Sequence, residues 1–164
     1  MSSLPDDLQL FRQMHKLMEI SRRFFQQGNF ESLREHLDVR HREFLTLIHL
    51  YNLTLDEPEG VSLKKLTHSL HISQPTASML VSHLVERGHV SRKENPRDRR
   101  QTLLTIAPAE REGFDRMARA QSEAAARVLD RLPEEKRELL MDFINTLYGE
   151  FSGQECLSDA LSGD

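Results

Sequence analysis

The chain has 164 residues, of which 38% are hydrophobic and 29% charged, and its formal net charge is −4. No apolar run reaches the roughly 18 residues of a membrane-spanning helix, and the N-terminus lacks a signal-peptide pattern. A single cysteine, Cys156, excludes an intrachain disulfide and a thiolate metal cluster, so a soluble cytoplasmic protein of one domain is the simplest interpretation.

The first part of the chain predicts two helices. The first covers residues 6–27 and has apolar side chains at spacings of three and four. These are Leu10, Phe11, Met14, Leu17, Met18, Phe24 and Phe25. Gly28-Asn29 is a helix-stop pattern, a second helix is expected from about Val39 to Leu53, and residues 54–60 form a turn. The apolar stripe of the first helix is wide enough to require another surface to pack on.

Two short helices with a tight break between them are predicted next. The first covers Leu63–Leu70 and is interrupted by residues 71–73. Ser73 is a good N-cap for the second, because its hydroxyl can accept from a free backbone N–H, and Pro75 suits the first turn. Gly88 ends this second helix. Its predicted buried face consists of Ala77, Leu80, Val81, Leu84 and Val85.

A cationic hairpin follows the second short helix. The segments HVSRK (89–93) and RQTLLTI (100–106) predict two strands around a turn at Glu94–Asp98. Segment 61–107 holds eight lysines and arginines and three acidic residues, a formal charge of +5, which leaves −9 for the rest of the chain. A cationic patch on an otherwise acidic molecule indicates a polyanionic partner, with a solvated basic loop as the alternative.

This order of elements is that of a winged helix-turn-helix. A helix that enters the DNA major groove needs short polar side chains toward the bases, and a wing over the minor groove favours arginine. The side chains predicted to contact DNA are Ser73, Gln74, Pro75, Thr76, Ser78, Met79, Ser82 and His83 from the helix and Arg92, Arg97, Asp98, Arg99 and Arg100 from the wing. Their alternative role is an ordinary solvated surface.

The sequence resembles the multiple antibiotic resistance regulator (MarR) family of winged-helix transcription factors. The resemblance is carried by the order of elements, by SQPTASMLVSHLVERGHVSR (73–92) and by the DRR wing motif at 98–100, and it covers roughly residues 8–150. The sequence departs from the family at Met79, where many members carry a basic residue. It also departs at Ile106–Glu110, where members often have an LT-x-x-G pattern.

The resemblance implies a mainly α, winged helix-turn-helix fold with N- and C-terminal dimerisation helices. It implies a homodimer on a pseudo-palindromic operator and a repressor released by a small aromatic or phenolic ligand. Asp98 is expected to hold the neighbouring arginines, of which Arg100 is favoured to enter the minor groove. The implied division is a single domain at 1–150, with a DNA-binding lobe at 61–107, dimerisation helices at 6–27 and 108–150, and a disordered tail at 151–164.

Other functions are less well supported by the residues. Metal binding would need three or four convergent ligands, and the predicted helix after Pro108 has no histidine to complete the group Glu35, His36, His41 and Glu43. No nucleophile with a fixed base and no phosphate-binding glycine loop is present, so neither an enzyme nor a bound cofactor is predicted. Cys156 lies among acidic residues, which favours a passive thiol. The main alternative is a winged-helix module that binds a protein partner without DNA.

Overall fold

The computed structural model describes residues 6–26 and 29–153, and it confirms the mainly α, winged-helix fold. The helices and strands of the described residues are α1 (Asp6–Gln26), α2 (Asn29–Leu37), α3 (His41–Asp56), β1 (Val61–Ser62), α4 (Leu63–Leu70), α5 (Gln74–Glu86), β2 (Val90–Glu94), β3 (Thr102–Ile106), α6 (Pro108–Leu129) and α7 (Glu134–Gly153). None of the described helices is long and apolar enough to cross a membrane. Residues 151–153 of the predicted tail form the end of α7. The rest of the predicted tail, 154–164 with Cys156, and the side chains of Leu10, Phe24 and Phe25 lie outside the described part of the chain.

The described residues fall into two compact units that divide after Val39. The first contains α1 and α2. Apolar side chains at several positions of α1 are exposed, including Phe11, Met18 and Ile20. In α2, Phe30 and Leu33 are buried, and Arg34 Nε donates to Glu31 Oε2 at 3.1 Å. The exposed stripe of α1 agrees with the expectation that this helix needs a further packing surface.

The second unit contains the winged helix and its hydrophobic core. The helices α3, α4, α5 and α6 all contribute fully buried side chains, among them Leu47, Leu66, Leu84 and Phe114. The three-stranded sheet has the order β1-β3-β2, with antiparallel pairs throughout. In the hairpin Val90 pairs with Ile106 and Glu94 with Thr102, so the apolar ends of both strands lie next to the core. The core therefore fixes the position of α5 and of the base of the wing.

An aromatic stack joins α3 to α6 inside this unit. The ring of Phe114 is completely buried and lies 5.4 Å from Tyr51 and 6.5 Å from Phe44, centroid to centroid. The Tyr51 hydroxyl donates to Asp115 Oδ1 at 2.8 Å, and the Arg111 guanidinium lies 4.9 Å from the Tyr51 ring centroid and donates to the same oxygen at 3.2 Å. Burial raises the pKa of Tyr51, and the hydrogen bond to Asp115 raises it further. Tyr51 is therefore a neutral donor at physiological pH.

Several boundaries differ from the sequence predictions. The stretch after Gly28 was expected to be a short connection, but it forms helix α2. β1 pairs with β3 through Val61↔Leu104 and was not predicted. The wing strands begin and end one or two residues away from their predicted positions, so the tip covers residues 95–101. Leu80 and Val85 are half-buried and only the other three members of the predicted face are fully buried.

Gly60 occupies a position that other residues would fill only with strain. Its φ is +111°, and a Cβ there would lie 2.9 Å from Thr105 Cγ2 and 3.0 Å from the Leu104 carbonyl oxygen. We expect Gly60→Ala to lower the free energy of unfolding by roughly 3 kcal/mol, the sum of the left-handed backbone cost and the overpacking cost.

Gly88→Ala is the matched control. Gly88 also has a positive φ of +79°, but no atom lies within 4 Å of its Cβ position. Only the backbone cost of about 1 kcal/mol is then expected. Urea unfolding of both variants measures the difference, and equal losses would contradict the steric explanation.

Candidate nucleic-acid interface

Helix α5 begins where the sequence predicted, because Ser73 caps it. The Ser73 hydroxyl accepts from the backbone N–H of Thr76 at 3.4 Å and lies 2.8 Å from the Thr76 hydroxyl. His71, in the left-handed conformation at φ +50°, ends α4 and makes the tight break between the two helices. The first turn of α5 therefore has a defined start, with Pro75 at a position where its missing donor costs nothing.

The side of α5 opposite the core presents short polar side chains and one long apolar one. Ala77, Val81 and Leu84 point into the core. Met79 is 66% exposed, the highest exposure among the large apolar residues of the winged helix. The exposed or half-exposed side chains of this face are Gln74, Pro75, Thr76, Ser78, Met79, Ser82 and His83. Seven of the predicted contact residues thus lie together on one accessible face.

The last turn of α5 is fixed by a buried carboxylate on α3. Glu43 is only 5% exposed and accepts from His83 Nδ1 at 2.6 Å through Oε1 and from the Arg40 backbone N–H at 2.8 Å through Oε2. Arg87 Nη1 lies 4.0 Å from the same Oε2. Burial opposes ionisation of Glu43, but the Arg40 N–H, His83 and Arg87 outweigh it and hold the pKa of Glu43 below its ordinary value. The carboxylate is a structural anchor of α5.

A side-chain hydrogen bond connects the wing to α5. Arg92 on β2 donates from Nη2 to Ser82 Oγ at 3.1 Å. The sequence allowed a pair between Arg92 or Lys93 and Glu94, but Lys93 Nζ instead lies 3.6 Å from Glu59 Oε2 on the loop before β1. The first wing strand is therefore held on both sides by residues distant in sequence.

The wing tip is closed by its own side chains. Asn95 Oδ1 accepts from the Arg97 backbone N–H at 2.9 Å, and Asp98 Oδ1 accepts from the Arg100 backbone N–H at 3.1 Å. Asp98 Oδ2 accepts from the Gln101 amide at 3.1 Å. Asp98 was expected to hold neighbouring arginines, and it bonds Arg100 through the main chain. This bond does not involve the Arg100 guanidinium, so Asp98 leaves that group available for another partner.

The cations of this lobe differ in their partners. Lys65 is paired with Glu57 and Lys93 with Glu59, so an acidic loop residue lies beside each of these lysines. Within the described residues, the cationic side chains of the lobe that make no hydrogen bond or ion pair are those of Lys64 on α4 and of Arg97, Arg99 and Arg100 on the wing. Three of these four unpaired cations lie together at the wing tip. Such an arrangement suits contact with phosphate or with the narrow minor groove.

Comparisons with known proteins agree with this architecture. A family model described as the MarR family matches residues 38–101, from before α3 to the wing tip. The fold is similar to that of a MarR protein from Peptoclostridium difficile, at 15% identity over 93% of this chain and 92% of that chain, with a TM-score of 0.62. The matched segment 38–101 is that of a MarR-like winged helix.

Two further MarR-like structures have the same fold. One is an S. aureus MepR–DNA complex, at 19% identity, 90% of this chain, 99% of that chain and a TM-score of 0.57. The other is NadR in complex with 4-hydroxyphenylacetate, at 18% identity, 94% of this chain, 99% of that chain and a TM-score of 0.60. Comparison with curated proteins found no match. At identities below 20%, these solved structures show the fold of this chain and not its ligands.

The side-chain contacts that stabilise this site were not predicted from the sequence. Glu43 was considered only as a candidate metal ligand, and Glu57 and Glu59 only as loop residues. Within the described residues no group of three or more His, Cys, Asp or Glu side chains is arranged to hold a metal ion. A local signal did exist for Glu43, since an acid at the third position of a helix commonly accepts from the N-cap N–H.

Proposed function

We propose that this protein is a MarR family regulator: a homodimeric, sequence-specific DNA-binding repressor that a small aromatic or phenolic ligand releases from its operator. The observation that carries the DNA-binding part is the combination of two features in one unit. A capped helix presents short polar side chains on one face, and a self-closed wing carries three unneutralised arginines, Arg97, Arg99 and Arg100.

The geometry supports different roles for α5 and for the wing. Gln74, Thr76 and Ser78 lie in the first turns of α5, where a recognition helix contacts base edges, and offer donors and acceptors of short reach. The wing arginines supply charge to the backbone and the minor groove. That the MepR structure is a complex with DNA supports this assignment for a chain of the same fold.

Exposed apolar residues on the terminal helices support a homodimer. Phe11 and Ile20 on α1 are more than 60% exposed, and so are Leu139 and Tyr148 on α7. Burying such surface against a second copy would be favourable by roughly 25 cal/mol for each Å² removed from water. A two-fold dimer would place two recognition helices about one DNA turn apart, on a pseudo-palindromic operator. We keep the division into a lobe at 61–107 and dimerisation helices at 6–27 and 108–150 as part of this proposal.

The ligand-release part rests on the family and on the polar aromatic junction between α3 and α6. NadR was solved with 4-hydroxyphenylacetate. In this chain Tyr51, Arg111 and Asp115 join the winged helix to a proposed dimerisation helix. A ligand that alters this junction would change the geometry of the lobe, a coupling worth roughly 1 to 3 kcal/mol in typical cases.

The test is binding of purified protein to a fluorescent duplex from the DNA flanking its own gene, with a scrambled duplex as control. We expect a stoichiometry of two chains per duplex and tighter binding to the native sequence. We also expect a log–log salt slope of several units, at about 0.9 for each phosphate neutralised. Addition of 4-hydroxyphenylacetate as a phenolic probe tests release. Weak, salt-insensitive binding to both duplexes would instead favour the protein-docking alternative.

A further inference from the structure

His83 is placed differently from the other residues on the exposed face of α5. It is the ninth residue after Gln74, so it lies about 14 Å along the helix axis at about 1.5 Å per residue. The major groove is only about 12 Å wide, and a recognition helix contacts the bases with its N-terminal residues. In the proposed DNA-binding geometry the last turn of α5 is therefore level with the phosphates at the edge of the groove.

The hydrogen bond to Glu43 determines which nitrogen of His83 carries a proton. An ionised carboxylate only accepts, so Nδ1 at 2.6 Å from Glu43 Oε1 must be the donor. In the neutral ring Nε2 then has a lone pair and no hydrogen. Phosphate oxygens also only accept, so the neutral ring cannot donate a hydrogen bond to DNA through Nε2. The imidazolium form can, because both nitrogens then carry a hydrogen.

Half of the His83 side chain is exposed, whereas Glu43 is buried beneath it. Nδ1 of the ring is therefore bonded to the protein, while the exposed half of the side chain is accessible to a partner in solution. We propose that the Glu43–His83 pair is a proton-linked phosphate clamp, in which DNA binding favours the doubly protonated imidazole of His83 and Glu43 is its positioning residue. This inference rests on the proposed DNA-binding function and adds a regulation to it.

Charged groups of both signs surround the pair. Helix α5 packs against α3, α4 and β2. The ionisable groups on these elements and their caps, besides His83, are Arg40, His41, Arg42, Glu43, His49, Tyr51, Asp56, Glu57, Lys64, Lys65, His68, His71, Glu86, Arg87, Arg92, Lys93 and Glu94. Arg87 Nη1, 4.0 Å from Glu43 Oε2, shares this carboxylate with His83 and opposes the imidazolium. Glu43 stays ionised because its pKa lies below the ordinary value, so it stabilises the imidazolium through the whole range in which histidines change charge, about pH 5 to 8. Because the protonated ring is the form that donates to phosphate, the affinity for DNA rises as the pH falls.

A phosphate contact is independent of sequence, so a scrambled duplex is the probe. We expect wild-type affinity at about 0.1 M salt to rise by up to tenfold per pH unit for each His83 that takes up a proton. His83→Gln, which cannot titrate, should flatten this dependence. Glu43→Gln should reduce it, because the neutral amide no longer stabilises the imidazolium. His36→Gln on α2, an exposed histidine outside the winged helix, is the matched control and should keep the wild-type pH profile.

A measurement on the wild-type protein tests the proposal without relying on the variants to fold correctly. In nitrogen-15 NMR spectra of wild-type protein near pH 7, DNA should move the His83 Nε2 resonance to the protonated position. An unchanged His83 signal, or a pH profile of His83→Gln equal to that of the wild type, would overturn the clamp while leaving DNA binding intact. Absence of binding to any duplex at low salt and every pH would instead overturn the proposed function itself.

Discussion

Simultaneous replacement of Arg97, Arg99 and Arg100 by alanine is expected to weaken binding to duplex DNA by roughly a hundredfold or more at about 0.1 M salt. These side chains have no partner within the described residues, so their charge is free to neutralise phosphate or to enter the minor groove. The salt slope should fall by about 0.9 for each phosphate contact that is lost. Fluorescence anisotropy at several salt concentrations measures both quantities.

The fold of this variant should be unaffected. Asn95 and Asp98 close the wing tip through backbone N–H groups, which alanine retains. Lys65→Ala/Lys93→Ala is the matched control, because it removes two cations of the same lobe that already pair with Glu57 and Glu59. A loss of affinity in this control as large as in the arginine variant would contradict the distinction between paired and free cations.

Phe114→Ala is expected to give the largest loss of stability, about 3 to 5 kcal/mol, which is the usual range for a buried aromatic side chain replaced by alanine. The ring has no exposed surface and is the centre of the stack with Tyr51 and Phe44. Its removal would leave a cavity between α3 and α6. Because native proteins are stable by only about 5 to 15 kcal/mol, we expect the Phe114→Ala variant to be partly unfolded at 37 °C.

Urea unfolding followed by far-ultraviolet circular dichroism measures this loss. Leu55→Ala, on α3 and 54% exposed, serves as the control and should change stability by less than about 0.5 kcal/mol. If Phe114→Ala cost no more than Leu55→Ala, the aromatic stack would not be the junction between the two helices.

The elements with strong local signals were predictable from sequence. Helices α4 and α5 were placed almost to the residue, because Ser73, Pro75 and Gly88 are cap, first-turn and stop residues whose effect is local. Helix α2 was missed because nine residues give barely two and a half turns of periodicity. Strand β1 was missed because its two residues show no alternation at all.

The tertiary contacts of the site could not be predicted in the same way. Glu43 and His83 are separated by 40 residues, and only the packing of α5 on α3 brings them to 2.6 Å. The pairs Arg92–Ser82 and Lys93–Glu59 likewise depend on where the hairpin folds back. Sequence patterns identified which side chains are accessible for DNA, and the structure adds which of them are already engaged. The DNA contacts themselves stay a prediction.

The acidic loop before β1 has a consequence for how such a protein would search a chromosome. Glu57 and Glu59 form ion pairs with Lys65 and Lys93, which could otherwise bind any phosphate. Under the proposed function this lowers the affinity for random DNA while leaving contacts with the bases unchanged. A genome offers about a million to a billion competing sites, so occupancy of the correct one depends on the ratio of the two affinities. Glu57 and Glu59 would thereby shorten the time that each molecule spends on the wrong sequence.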